Sequence, residues 1–210
     1  MSLVIAAFDS TRAFLRSEGR VMSRDRYGKP RIERENAFKH IQISESLAIA
    51  ATGATEFAVR ALAAARDIGE CFSSRCADLD GGMVGLFTRL VKQVPVRLPD
   101  CPFSLLIVIL SKNSLTKRVS CALLVSGCEP QRFDPPPGSE VDTVILAPRD
   151  ETADFIRHRM DAVLPEIFKE THNANFRAKI EAAVKLAVVD AAKSDEEINT
   201  DVRFAFIGES

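Results

Sequence analysis

Ser2-Leu3-Val4-Ile5-Ala6-Ala7-Phe8 follows Met1 directly, and sixteen residues after that serine comes Ser17-Glu18-Gly19-Arg20-Val21. Then comes Ala37-Phe38-Lys39-His40-Ile41-Gln42-Ile43, followed by an alternating stretch over 47–52 that ends at Gly53, just before an Ala-rich segment. Two apolar stretches, 3–8 and 13–17, flank the polar cluster Asp9-Ser10-Thr11-Arg12, which predicts a β-hairpin. Residues 38–43 and 47–52 predict a second hairpin through Ser44-Glu45-Ser46. The opening of the chain thus places a small hydroxyl residue, an acid, a lysine and a strand-to-helix glycine in that order.

Beyond Gly53, apolar residues at helical spacing (Phe57, Ala58, Leu62, Ala65, Ile68) predict a helix over 54–67, with Gly69 as its stop. A second helix is expected over 79–93, weakened by Gly81, Gly82 and Gly85, with Asp78 or Asp80 as its cap. Strands are expected over 103–110, 119–125 and 141–147. The prolines at 130 and 135–137 mark 129–139 as an irregular loop. Helical patterns over 151–169 and 174–192 and a strand over 202–207 complete the chain. Strand blocks alternating with helix pairs predict an α+β fold, a four-layer αββα sandwich of two antiparallel sheets, as one domain over 1–210.

Composition narrows the function. The chain has 210 residues, 46% hydrophobic and 27% charged, with a net charge of −1. That balance gives no basic field for nucleic acid. The basic run at Arg24, Arg26, Lys29, Arg31 and Arg34 reads as a solvated extended loop, with a surface for an acidic partner as the alternative. No apolar run reaches the roughly 18 residues of a membrane helix, and the N-terminus does not read as a secretory signal. The five cysteines are irregularly spaced, which fits free thiols in a reducing cytoplasm. The three histidines make no zinc pattern, and Gly81-Gly82-Met83-Val84-Gly85 lacks the lysine and hydroxyl residue of a phosphate loop. Neither a metal nor a cofactor is expected.

The spacing of Ser2, Glu18, Arg20, Lys39, Gln42-Ile43-Ser44 and Gly53 resembles the proteasome β-subunits and their bacterial relatives, the N-terminal-nucleophile hydrolases. In that family a terminal Thr, Ser or Cys opens the first strand, and an acid follows sixteen residues later, two before an arginine. A lysine then precedes a Gln-Ile-Asp-like turn, and a glycine lies eleven residues beyond the Gln. The segment between Arg20 and Lys39 is longer here, an addition that a hairpin around Tyr27-Gly28-Lys29-Pro30 absorbs. The resemblance implies that Ser2 is the nucleophile once Met1 is trimmed. An α-amine titrates near 7.7–8.0, about 2.5 units below lysine, so it is able to take its own hydroxyl's proton. Lys39 would favour the deprotonated nucleophile, Glu18 would pair with Lys39, Arg20 would brace the turn, and the Gly53 N–H would meet an oxyanion.

Each position also has a plainer reading. Serine is common after Met1, Glu18-Gly19-Arg20 suits a hairpin tip, and Gly53 suits a turn. Lys39 alternates in phase with Ile41 and Ile43, which argues against a fully solvent-facing lysine. Two later sites depart from the family. Pro148-Arg149-Asp150-Glu151 stands where a Gly/Ser-rich segment supplies a supporting serine, and Ser194-Asp195 stands in place of a spaced Asp and Ser. The expected function is therefore a proteasome-like amide hydrolase or peptidase working through an acyl-enzyme. The alternative is a catalytically impaired ring subunit with a binding or scaffold role. The resemblance further implies a homo-oligomeric ring; an ATPase partner is not readable from the residues.

Overall fold

Every position of β1 (Val4–Phe8) and β2 (Ala13–Glu18) is buried, because both faces of their sheet are covered. The computed structural model describes residues 3–19, 21–24, 27, 30–34, 37, 39–71, 82–96, 104–170 and 173–208. β1 and β2 are the middle strands of a four-stranded antiparallel sheet, edged by β10 (Asp142–Leu146) beside β1 and β11 (Val202–Ile207) beside β2. Alternation sends Val4, Ala6, Phe8, Ala13 and Leu15 to one face and Leu3, Ile5, Ala7 and Phe14 to the other.

The second sheet is also antiparallel and runs β5 (His40–Ser44), β6 (Leu47–Gly53), β7 (Leu105–Lys112), β8 (Val119–Val125) and β9 (Gln131–Phe133). Between the sheets, Val4, Ala6 and Leu15 pack against Ala48, Ala50, Leu106, Val108 and Leu110. On the outer side of the second sheet, α1 (Thr55–Cys71) and α2 (Met83–Lys92) cover Ile49, Ala51, Ile107 and Ile109 with Ala58, Ala61, Ala65, Phe87 and Val91. On the outer side of the first, α3 (Asp150–Asp161), α4 (Leu164–Lys169) and α5 (Asn173–Ala192) bury Ile156, Phe168, Phe176, Ile180 and Val184 against Ile5 and Phe14. Three apolar layers thus separate four layers of secondary structure. The expected α+β four-layer sandwich is the observed one.

Several local expectations are corrected. α1 runs on through Gly69 to Cys71. A Cβ at Gly69 would lie 2.7 Å from Cγ2 of Ile43, so this glycine lets the helix approach β5 and does not end it. The segment 151–169 is two helices, because Pro165 at the start of α4 has no N–H to continue α3. Within the expected loop 129–139, β9 pairs with β8, Cys121 opposite Phe133. Its ring meets Phe8 at 6.3 Å. The added residues after β2 form a separate antiparallel pair, β3 (Val21–Arg24) with β4 (Pro30–Arg34), in which Arg31 is exposed. Asp78 and Asp80, proposed as caps of α2, lie outside the described residues.

The open edge of β11 is closed by side chains from the other sheet. The His40 ring bonds the Phe204 backbone. Gln42 Nε2 donates to the Phe206 carbonyl at 2.9 Å, and Lys112 Nζ donates to the Gly208 carbonyl at 3.3 Å. A row of carbonyls able to template another strand is thereby covered. The His40 and Gln42 contacts fix β5 against β11, next to β2, where the candidate site lies.

Candidate active site

β2 is apolar until Leu15, then turns polar while remaining buried: Arg16 is 0%, Ser17 3% and Glu18 1% exposed. Each of these groups needs a partner to offset lost hydration. Glu18 finds two backbone amides. Its Oε1 accepts the Leu3 N–H at 2.9 Å and its Oε2 the Asn199 N–H at 2.6 Å. Burial pushes its carboxyl up, against the charge of Lys39, both amides and the charge of Arg16, which all pull it down.

Lys39 is buried and lines a narrow cleft together with Ser17, Glu18, His40, Asp201 and Arg203. Lys39 is thus not solvent-facing, as its alternation with Ile41 and Ile43 argued. β5 begins only at His40, so Lys39 precedes the alternating strand. Ile41 and Ile43 pack under α1, whereas Lys39 shares its cleft with His40. A main-chain bond from the Ala51 N–H to the Lys39 carbonyl, 2.9 Å long, anchors the residue to β6.

His40 Nδ1 lies 2.7 Å from Ser17 Oγ, and the ring also bonds the Phe204 backbone. Donation to that carbonyl from Nε2 leaves Nδ1 to accept the serine hydroxyl. Burial, with Arg203 and Arg16 adding positive charge, lowers the ring's pKa to about 4, so the ring is neutral at pH 7. Arg16 is the strongest departure from ordinary packing. Its Nη2 donates to the Asn199 carbonyl at 3.4 Å, while Nε and Nη1 are buried without a partner among the described residues. Burial lowers its pKa to about 10, despite the opposing pull of Glu18.

Of the residues singled out by sequence, Glu18 and Lys39 are brought together. Gly53 lies at the β6–α1 junction with φ 119°, and a Cβ there would meet the Ser104 carbonyl oxygen at 2.5 Å. Glycine is required by that approach, and Gly53 does not line the Glu18–Lys39 cleft. Ser2 and Arg20 lie outside the described residues. At the departing positions, Asp195 accepts the Thr152 hydroxyl at 2.7 Å and the Glu197 N–H at 3.1 Å. Ser194 donates to the Ala191 carbonyl at 3.1 Å. Asp195 therefore ties the end of α5 to the start of α3, and Ser194 closes the last turn of α5. Arg16, Ser17, His40 and Asn199 were not foreseen as site residues. The available signal was Arg16, a charge in phase with Phe14 on a strand with no polar face.

No family model and no curated protein matches the chain in sequence. Among solved structures, the crystal structure of eukaryotic HslV from Trypanosoma brucei is similar, with a TM-score of 0.58 at 12% identity. The match covers 98% of this chain and 99% of that one. The fold is that of the proteasome-like N-terminal-nucleophile hydrolases.

Proposed function

We propose that this chain is a proteasome-like amide hydrolase, a peptidase, with Ser2 as nucleophile after removal of Met1. One observation above all supports this reading. Glu18 accepts the Leu3 amide, the peptide nitrogen bonded to residue 2, while sharing a cleft with Lys39. Ser2 Oγ adds to a peptide carbonyl as its proton passes to the Ser2 α-amine. The tetrahedral intermediate collapses, the leaving amine takes that proton, and an acyl-serine ester remains. Water, activated by the same amine, releases the acid. Lys39 favours the ionised nucleophile, and Glu18 holds Lys39 and the Leu3 amide in place. The working unit is a homo-oligomeric ring of single domains spanning 1–210. Exposed apolar side chains such as Val59 and Leu186 are compatible with assembly, and free Cys121 and Cys128 with a reducing cytoplasm.

A second reading is a ring subunit that binds or scaffolds without efficient catalysis. It is favoured by the engagement of Ser194 and Asp195 in ending α5. Intact mass and an epoxyketone, which needs hydroxyl and free amine on one residue, separate the two. The expected result is a chain lacking Met1 with an adduct at Ser2, lost in Ser2→Ala while assembly persists. Lys39→Ala should slow hydrolysis about 10²–10³-fold. Retained Met1 leaves only the scaffold, and hydrolysis undiminished in Ser2→Ala removes the proposed mechanism.

A further inference from the structure

Ser17 and His40 meet in the cleft in an arrangement that the Ser2 mechanism does not use. The Ser17 hydroxyl lies 2.7 Å from Nδ1, and the ring is oriented by its bond to the Phe204 backbone. Both residues line the cleft, with Lys39 and Arg203 supplying positive charge and Glu18 and Asp201 negative. A hydroxyl donating to a neutral imidazole whose other nitrogen is tied to a fixed acceptor is the minimal arrangement for an activated serine. Here a main-chain carbonyl takes the orienting place that a carboxylate often fills.

We propose that Ser17 and His40 form a second nucleophile–base pair, reactive toward small acyl esters and independent of residue 2. Ser17 Oγ adds to the ester carbonyl as its proton moves to His40 Nδ1. The intermediate expels the alcohol, which takes that proton, leaving acyl-Ser17 and neutral His40. Water then enters with the same nitrogen as base, and the acid departs. Ser17 is only 3% exposed, so the acyl group must be short and peptides are excluded by size; a base that titrates at about 4 is weak and calls for a good leaving group. Burial, with the positive charge of Arg203 and Arg16 added, holds the His40 pKa below the usual histidine range and keeps the ring in its basic form.

The full-length protein treated with p-nitrophenyl acetate, followed by peptide mapping, tests this directly. Acetylation at Ser17 is expected, with a rate that stays level from pH 8 down to about 5, since the base form persists. Ser2→Ala, which removes the proposed peptidase nucleophile, should still label at Ser17, so the two readings fail separately. His40→Asn keeps an acceptor for the hydroxyl but no base, and should slow labelling about 10²–10⁴-fold. Wild-type protein acetylated elsewhere but not at Ser17 overturns the proposal whatever the variants' stability. So does wild-type labelling speed in folded His40→Asn.

Discussion

The two halves of β2 are equally buried and opposite in chemistry. Ala13, Phe14 and Leu15 fill two apolar layers, whereas Arg16, Ser17 and Glu18 bring two charges and a hydroxyl to the same depth. In the first half burial is itself the stabilising term. In the second, burial costs free energy that hydrogen bonds and opposite charges only offset. Two neighbouring arginine nitrogens even go without partners among the described residues. That cost falls beside the cleft for which the chemistry is proposed.

The largest test sets Phe14→Ala against Glu18→Ala. Each should lose about 3–5 kcal/mol in denaturant unfolding, the first by cavity formation and the second by stranding buried positive charge. Their rescues should differ. Phe14→Leu should recover most of its loss, because volume is what matters there. Glu18→Gln should recover little, because the opposite charge stays missing. Equal rescue at both sites would erase the distinction.

An apolar approach on the far side of β5 gives an intermediate effect. Gly69→Ala places a methyl 2.7 Å from Ile43 and should cost about 1–3 kcal/mol by overpacking. Ile43→Val in the same chain should return part of that.

His40 gives a smaller, pH-dependent effect. Its folded pKa, about 4, lies below the ordinary 6.5, so its contribution is complete above 6.5 and declines as pH falls toward 4. One proton changes stability by at most about 1.4 kcal/mol per pH unit, and less here because the ring is partly exposed. Thermal melts across that window should show a shallower acid slope in His40→Asn than in wild type.

The smallest effect is expected from Arg16→Met, which removes a poorly satisfied buried charge and keeps much of its volume. Stability should stay within about 1 kcal/mol or rise, while acylation or hydrolysis in the neighbouring cleft changes. A loss of several kcal/mol would show that the polar half of β2 is structural after all.

What the residues alone determined was the layer plan. β1, the first half of β2, β6 and β8 are short, mainly apolar runs, β11 alternates around Phe204 and Phe206, and α1 and α5 carry apolar residues at helical spacing. Those signals are local, and local periodicity is enough to place an element and its buried side. Glu18 and Lys39 were legible as candidates because their spacing resembles a known family. Tertiary structure alone decided the rest. Gly69 reads as a helix stop until Ile43 is placed against it, and β9 needs β8 to exist as a strand. Lys39 is buried as its alternation suggested, but that it lies beside His40 in the cleft, just before β5 begins, shows only in the fold. Arg16, His40 and Asn199 come from three separate segments, and only the pairing of β2 with β11 and the closure of β5 over both bring them to Glu18. Contacts between segments far apart in the chain leave no periodic trace in it, so a buried charge network becomes readable only once the sheets are stacked.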